Sequence, residues 1–174
     1  MTESTASAEE VQPGVVPEPQ RAAWHIGASC ALPFVDLGDG SALQLLQVDL
    51  GTGTWISRVR FQPGCTIDRH YHTGPVYAVT LSGHWFYLEY PEAVNGPGSY
   101  LFEPAGSVHT LTVPADQDQP AEVWFAVAGA NVNIDGTGQV TSIVDAATVL
   151  TVYRELAALQ APATDLEDLL VSGA

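Results

Sequence analysis

Lysine is missing altogether from this sequence. Its five basic side chains are all arginine, they face 20 acidic ones, and the formal net charge is -15. Nucleic acid and anionic membrane both need a basic surface to bind them, so the balance argues against either as a partner. Cysteine is nearly absent as well. Cys30 and Cys65 do not make a disulfide framework, and Cys65 is expected as a buried free thiol. No apolar run approaches the ~20 residues that cross a bilayer. The first residues show no basic-then-apolar secretory pattern. The expected location is the cytoplasm, where thiols stay reduced. There is no Gly-rich dinucleotide fingerprint between a strand and a helix, no G-x-S-x-G nucleophile elbow and no internal repeat.

What is present is a chain of 174 residues, 46% hydrophobic, with 12 Pro and 16 Gly. That length suits one domain with a real core. Many short apolar segments broken by Gly, Pro, Asn and Asp read as an all-β fold. Residues 1–20, rich in Glu, Ser, Thr and Pro, are expected to lack fixed structure. Residues 21–144 carry the strands. Over 145–174 the pattern becomes helical: Ala146, Val149, Leu150, Tyr153, Leu156 and Ala157 recur at helical spacing, with Asp145 as N-cap and Pro162 beyond the end. Thr164 to Glu167 reads as a capping box opening a short second helix.

Two stretches carry chemistry. The first runs Gly64-x5-His70-x-His72-x10-Gly83, and the second Gly98-x5-Pro104-x-Gly106-x2-His109. Side chains alternate sides along a strand, so His70 and His72 share a face and can aim both rings at one point. His109, on another strand, can complete one face of a metal ion. The glycines and the proline mark the turns that bring these strands together.

The two spacings resemble the paired motifs of the cupin superfamily. The wider text, His-Tyr-His-Thr-Gly-Pro-Val and Gly-Ser-Tyr-Leu-Phe-Glu-Pro-Ala-Gly-Ser-Val-His, is similar to the 2,4'-dihydroxyacetophenone dioxygenase-like cupins. The resemblance covers roughly residues 22 to 130. It implies a jelly-roll barrel, here with a C-terminal helix, and a metal held by His70, His72 and His109. Most cupins place a glutamate four residues after the second His, where this chain has Val76; Asn is common four after the third, where it has Val113. The pattern is thus that of three-histidine cupin dioxygenases. The implied reaction breaks the C–C bond beside a carbonyl in an aryl hydroxyketone or β-diketone, using O2. The implied metal is Fe(II), with Zn or Ni open, since imidazole suits all of them. No separate organic cofactor is implied. A dimer or tetramer is expected.

A substitute for the missing glutamate follows if Ser82 and Gly83 form a two-residue hairpin turn. Thr80 then faces Trp85, Ala78 faces Tyr87 and Val76 faces Glu89. Opposed residues point to one side of the sheet, so Glu89 would project toward the site as a fourth metal ligand or as the catalytic base. A one-residue slip would turn it outward. The same register, with the parity of His109, predicts a pocket lined by Val76, Ala78, Trp85, Tyr87, Leu111 and Val113. His25 and His84 lie off both motifs and read as surface residues. Arg58 and Arg60 share a face and read as partners for acidic side chains. Two other functions stay open: a zinc or nickel cupin acting as isomerase, cyclase or lyase, and a non-catalytic metal-binding sensor.

Overall fold

The structure is a computed structural model that describes residues 23–27 and 29–173. The tail expected over residues 1–20 lies outside them. In chain order the strands are β1 (Val35–Asp36), β2 (Ser41–Asp49), β3 (Thr54–Phe61), β4 (His70–His72), β5 (Val76–Ser82), β6 (Trp85–Tyr87), β7 (Tyr90–Asn95), β8 (Tyr100–Glu103), β9 (Leu111–Thr112), β10 (Ala121–Ala128), β11 (Asn131–Ile134) and β12 (Val140–Val144). Helix α1 (Ala146–Gln160) and β13 (Leu170–Ser172) follow.

The large sheet runs β1-β2-β3-β10-β5-β8, with β13 added in parallel along β2. Two three-stranded sheets, β12-β11-β4 and β7-β6-β9, complete the structure. This is the all-β jelly roll with a C-terminal helix that the sequence predicts. Inward positions alternate as the pleat requires: Val76, Ala78 and Thr80 on β5 are buried, as are Trp85 and Tyr87 on β6.

The core has two parts. One lies against the helix, where Leu43, Leu45, Val48 and Trp55 meet Ala146, Val149, Leu150 and Tyr153. The other gathers Phe61, Ala78, Trp85, Leu111, Val113 and Val123. Each fully buried Val or Leu contributes about 1.5–3 kcal/mol relative to exposure. The helix begins where expected: Asp145 caps it by accepting from the Thr148 amide at 2.8 Å.

Three expectations need correction. The hairpin at Ser82-Gly83 does not form. Strand β5 already pairs with β10 on one edge and β8 on the other, which leaves no edge for β6. The chain instead crosses to another sheet at Gly83, which has φ +68 and passes so close to Ala121 that a Cβ there would lie 2.7 Å from its Cα. The stretch read as one strand near 84–90 is broken by a turn at Leu88-Glu89 into β6 and β7. Finally, Thr164–Glu167 is not helical. Asp165 caps its own turn by accepting from the Glu167 amide at 3.0 Å, and the chain then extends into β13 beside β2.

Candidate metal centre

One strand and one isolated bridge place the three histidines. His70 and His72 are buried on one face of β4. His109 faces His70 across an antiparallel bridge, with both backbone bonds at 3.0 Å, so its ring points to the same side. The turn before it is held to β4 by the Gly106 amide, which donates to the His72 carbonyl at 2.8 Å. Gly106 has φ +81, a conformation open to glycine at little cost. The ring centroids of His70 lie 5.1 Å from those of His72 and 4.6 Å from those of His109. One nitrogen from each ring lies within 4.8 Å of the other two.

The electrostatics suit a cation. Burial pushes the imidazole pKa values down, His70 in direction and His72 and His109 to about 3 and about 4, with neighbouring rings adding to the effect at the latter two. All three are neutral near pH 7 and present lone pairs. His70 Nδ1 lies 2.7 Å from the Asp68 carbonyl, which leaves Nε2 for the site. His109 Nε2 is buried with no hydrogen-bond partner, as is Glu103 Oε2 beside it. Orphaned buried polar atoms are costly, and a bound ion would give the His109 nitrogen its partner. The donor set therefore fits a first-row metal, and imidazole alone does not select which.

Glu103 was not singled out from the sequence. It ends β8 directly opposite Val76, and its Oε2 lies 3.4 Å from His72 Nε2 and 3.3 Å from His109 Nε2. Burial raises its carboxyl pKa to about 7, against the lowering effect of a hydrogen bond from the Tyr87 hydroxyl to Oε1. The Tyr87 ring stacks on His109 with centroids 4.3 Å apart. The register that would have exposed Glu103 pairs β5 with β8, strands separated by two others in the chain. No local turn signals it.

Glu89 is elsewhere. It sits exposed in the β6–β7 turn, where its carboxylate accepts from the Thr110 amide at 2.8 Å and the Thr110 hydroxyl at 3.0 Å. Desolvation is the largest single influence and pushes its pKa up, but those bonds, with the charge of His109, together hold it below the usual range. Because the hairpin is absent, Glu89 has no register with Val76 and is occupied in fixing the strand that follows His109.

A cavity of about 330 Å³ opens beside His70, His72, Tyr87 and Glu103. Its walls are mainly apolar and aromatic, with Trp55, Phe61, Leu111, Phe125 and Val127, and polar groups enter from Asn131 and Asn133. Of the predicted lining, Tyr87 and Leu111 take part. Val76, Ala78, Trp85 and Val113 are buried in the two core clusters instead. The Trp85 indole donates to Thr80 at 2.9 Å, which marks it as a core aromatic. His25 and His84 are exposed. Arg60 pairs with Glu122 at 2.8 Å, and Arg58 donates to Gln44 at 2.6 Å. Cys30 and Cys65 are both free, and Cys65 is buried.

Barrel and site together define a cupin with a three-histidine cluster suited to a metal. The chain belongs to the ChrR cupin-like domain family, whose model matches residues 23–130. It is similar to a cupin-like protein of unknown function from Ralstonia eutropha, at 31% identity over 89% of this chain and 95% of that one, TM-score 0.79. A second cupin from that organism matches at 20% identity over 82% and 91%, TM-score 0.74. An acetylacetone dioxygenase from Acinetobacter johnsonii shares the fold at 18% identity over 89% and 99%, TM-score 0.62. Among curated proteins none matches. No described helix is long and apolar enough to cross a membrane.

Proposed function

We propose that this protein is a non-haem Fe(II) dioxygenase that cleaves the C–C bond beside a carbonyl in an aryl hydroxyketone or β-diketone. The observation that carries this reading is the convergence of three buried, neutral histidines, two of which, His70 and His72, line an apolar, aromatic cavity. The shared fold with an acetylacetone dioxygenase supports it. His70, His72 and His109 would hold the iron, which supplies Lewis acidity toward the ketone oxygens and the one-electron chemistry that O2 requires. Three protein ligands leave room for substrate. Both atoms of O2 enter the two carbonyl products, so no external reductant is consumed.

The chain's own residues do the rest. Glu103 Oε2, beside the Nε2 atoms of His72 and His109, would take the acidic proton between or beside the carbonyls. In this reading Glu103 takes the role of base that the sequence suggested for Glu89. The Tyr87 hydroxyl, donating to Oε1, keeps Oε2 turned to the site. Trp55, Phe61 and Phe125 would hold the organic group and exclude water. The test is an oxygen electrode with iron-loaded protein and a panel of aryl hydroxyketones and β-diketones. Uptake of O2 dependent on ketone supports the reading, while a flat trace favours a metal acting only as Lewis acid or as a sensor's ligand.

We also propose that the protein assembles as a homodimer or homotetramer in the cytoplasm. Tyr77 and Phe102, paired on the outer face of β5 and β8 with rings 5.5 Å apart, are 43% and 50% exposed, and Tyr100 beside them is 64% exposed. Such a patch on a monomer invites a partner. Sedimentation analysis reads the state directly.

A further inference from the structure

Two buried atoms near the site lack a partner that the metal would not supply. One is His72 Nδ1, on the far side of the ring from the Nε2 that faces Glu103. The other is Asn131 Oδ1. These two residues are directly opposed across the β4–β11 ladder, so their side chains rise from the same face, and neither atom is paired with the other as the side chains stand. Asparagine is disfavoured in strands, yet β11 carries Asn131 and Asn133 at alternate positions, both on the cavity wall. Asn133 donates through Nδ2 to the Ser142 hydroxyl at 2.7 Å. Its Oδ1 therefore accepts from Asn131 Nδ2, at 3.0 Å. That sequence of bonds leaves Asn131 Oδ1 as the free acceptor.

We infer that Asn131 is a positioning residue for the metal: when the ion is bound, a small side-chain rotation lets its Oδ1 receive the Nδ1–H of His72, which fixes the tautomer that offers Nε2 to the ion. The inference rests on the reading that the three histidines bind a metal. His70 already has the equivalent support, from the Asp68 carbonyl. Ligating histidines generally donate their second ring N–H to such an acceptor, and its loss costs roughly 10–100-fold in metal affinity. The ladder Ser142-Asn133-Asn131 would carry that support from the edge strand β12 to the centre.

The test is the binding of Co(II) to the full chain, read by chelator competition and by its visible absorption band. Asn131→Ala should weaken binding by about 10-fold or more and shift the band. Asn131→Asp, which keeps an acceptor, should bind at least as tightly as wild type. Asn133→Ala, which frees the Asn131 amide to rotate, should lose less than Asn131→Ala. Circular dichroism of each metal-free variant establishes that it folds. If wild type binds cobalt and Asn131→Ala binds it equally with the same band, the role of Asn131 is overturned. If Asn131→Asp is as weak as Asn131→Ala, it is overturned too. A wild-type chain that takes up no cobalt overturns the metal reading and this inference with it.

Discussion

Glu103 stands directly opposite Val76 in the β5–β8 ladder, and its carboxylate touches His72 and His109. The position that holds a glutamate in most cupins is apolar here, and a glutamate from the adjacent strand occupies the same region of the site. If Glu103 is the base, Glu103→Gln should keep the metal and lower turnover about 10²–10⁴-fold. Metal analysis beside steady-state kinetics checks this. Loss of metal with unchanged turnover per bound metal would contradict it. Glu89→Gln, by contrast, should leave turnover within a few-fold of wild type.

Tyr87 gives Glu103 Oε1 its donor. Tyr87→Phe keeps the ring on His109 and removes the bond, leaving a buried oxygen unpaired. That should cost about 1–3 kcal/mol of stability, seen as a lower midpoint in urea unfolding with an unchanged slope.

Bound metal should stabilise the fold by mass action, since the unfolded chain does not assemble the trio. At a free concentration ~100 times the dissociation constant the gain is about 2.7 kcal/mol. Thermal scans with and without chelator should show the difference. In His72→Ala the two scans should coincide.

The helix cap provides a pH-dependent contribution. Hydrogen bonds from the Thr148 hydroxyl and amide hold the Asp145 carboxyl below its ordinary value of 3.8. A folded-state pKa that is depressed stabilises the fold above the unfolded value, and the benefit fades as pH falls through the folded one. Asp145→Ala should cost about 0.5–2 kcal/mol near neutral pH. The gap between variant and wild type should narrow below about pH 4.

How much of this was legible follows from range. The His-x-His pair was readable because period-two alternation is local, and the helix because its cap and apolar stripe are local. The binding face of His109 came from motif spacing alone, and its bridge to His70 agrees. What failed were inferences about which strand lies beside which. Ser82-Gly83 looks like a hairpin turn, but sheet pairing is decided by edges, and both edges of β5 are taken by distant strands. That one error moved Glu89 into the site and hid Glu103. Strands β12 and β13 show no clean alternation in the sequence, since β12 is exposed along almost its whole length and β13 is evenly half-buried. Asn131 was passed over because an amide in a strand gives no signal until its neighbour across the ladder is known.

The most direct test of the central claim is oxygen consumption by protein loaded with one iron per chain, in the presence of an aryl hydroxyketone and ¹⁸O2. The account predicts one O2 consumed per ketone, label in both products, and loss of the signal in His70→Ala. A fully iron-loaded chain that consumes no oxygen with any aryl hydroxyketone or β-diketone would contradict it.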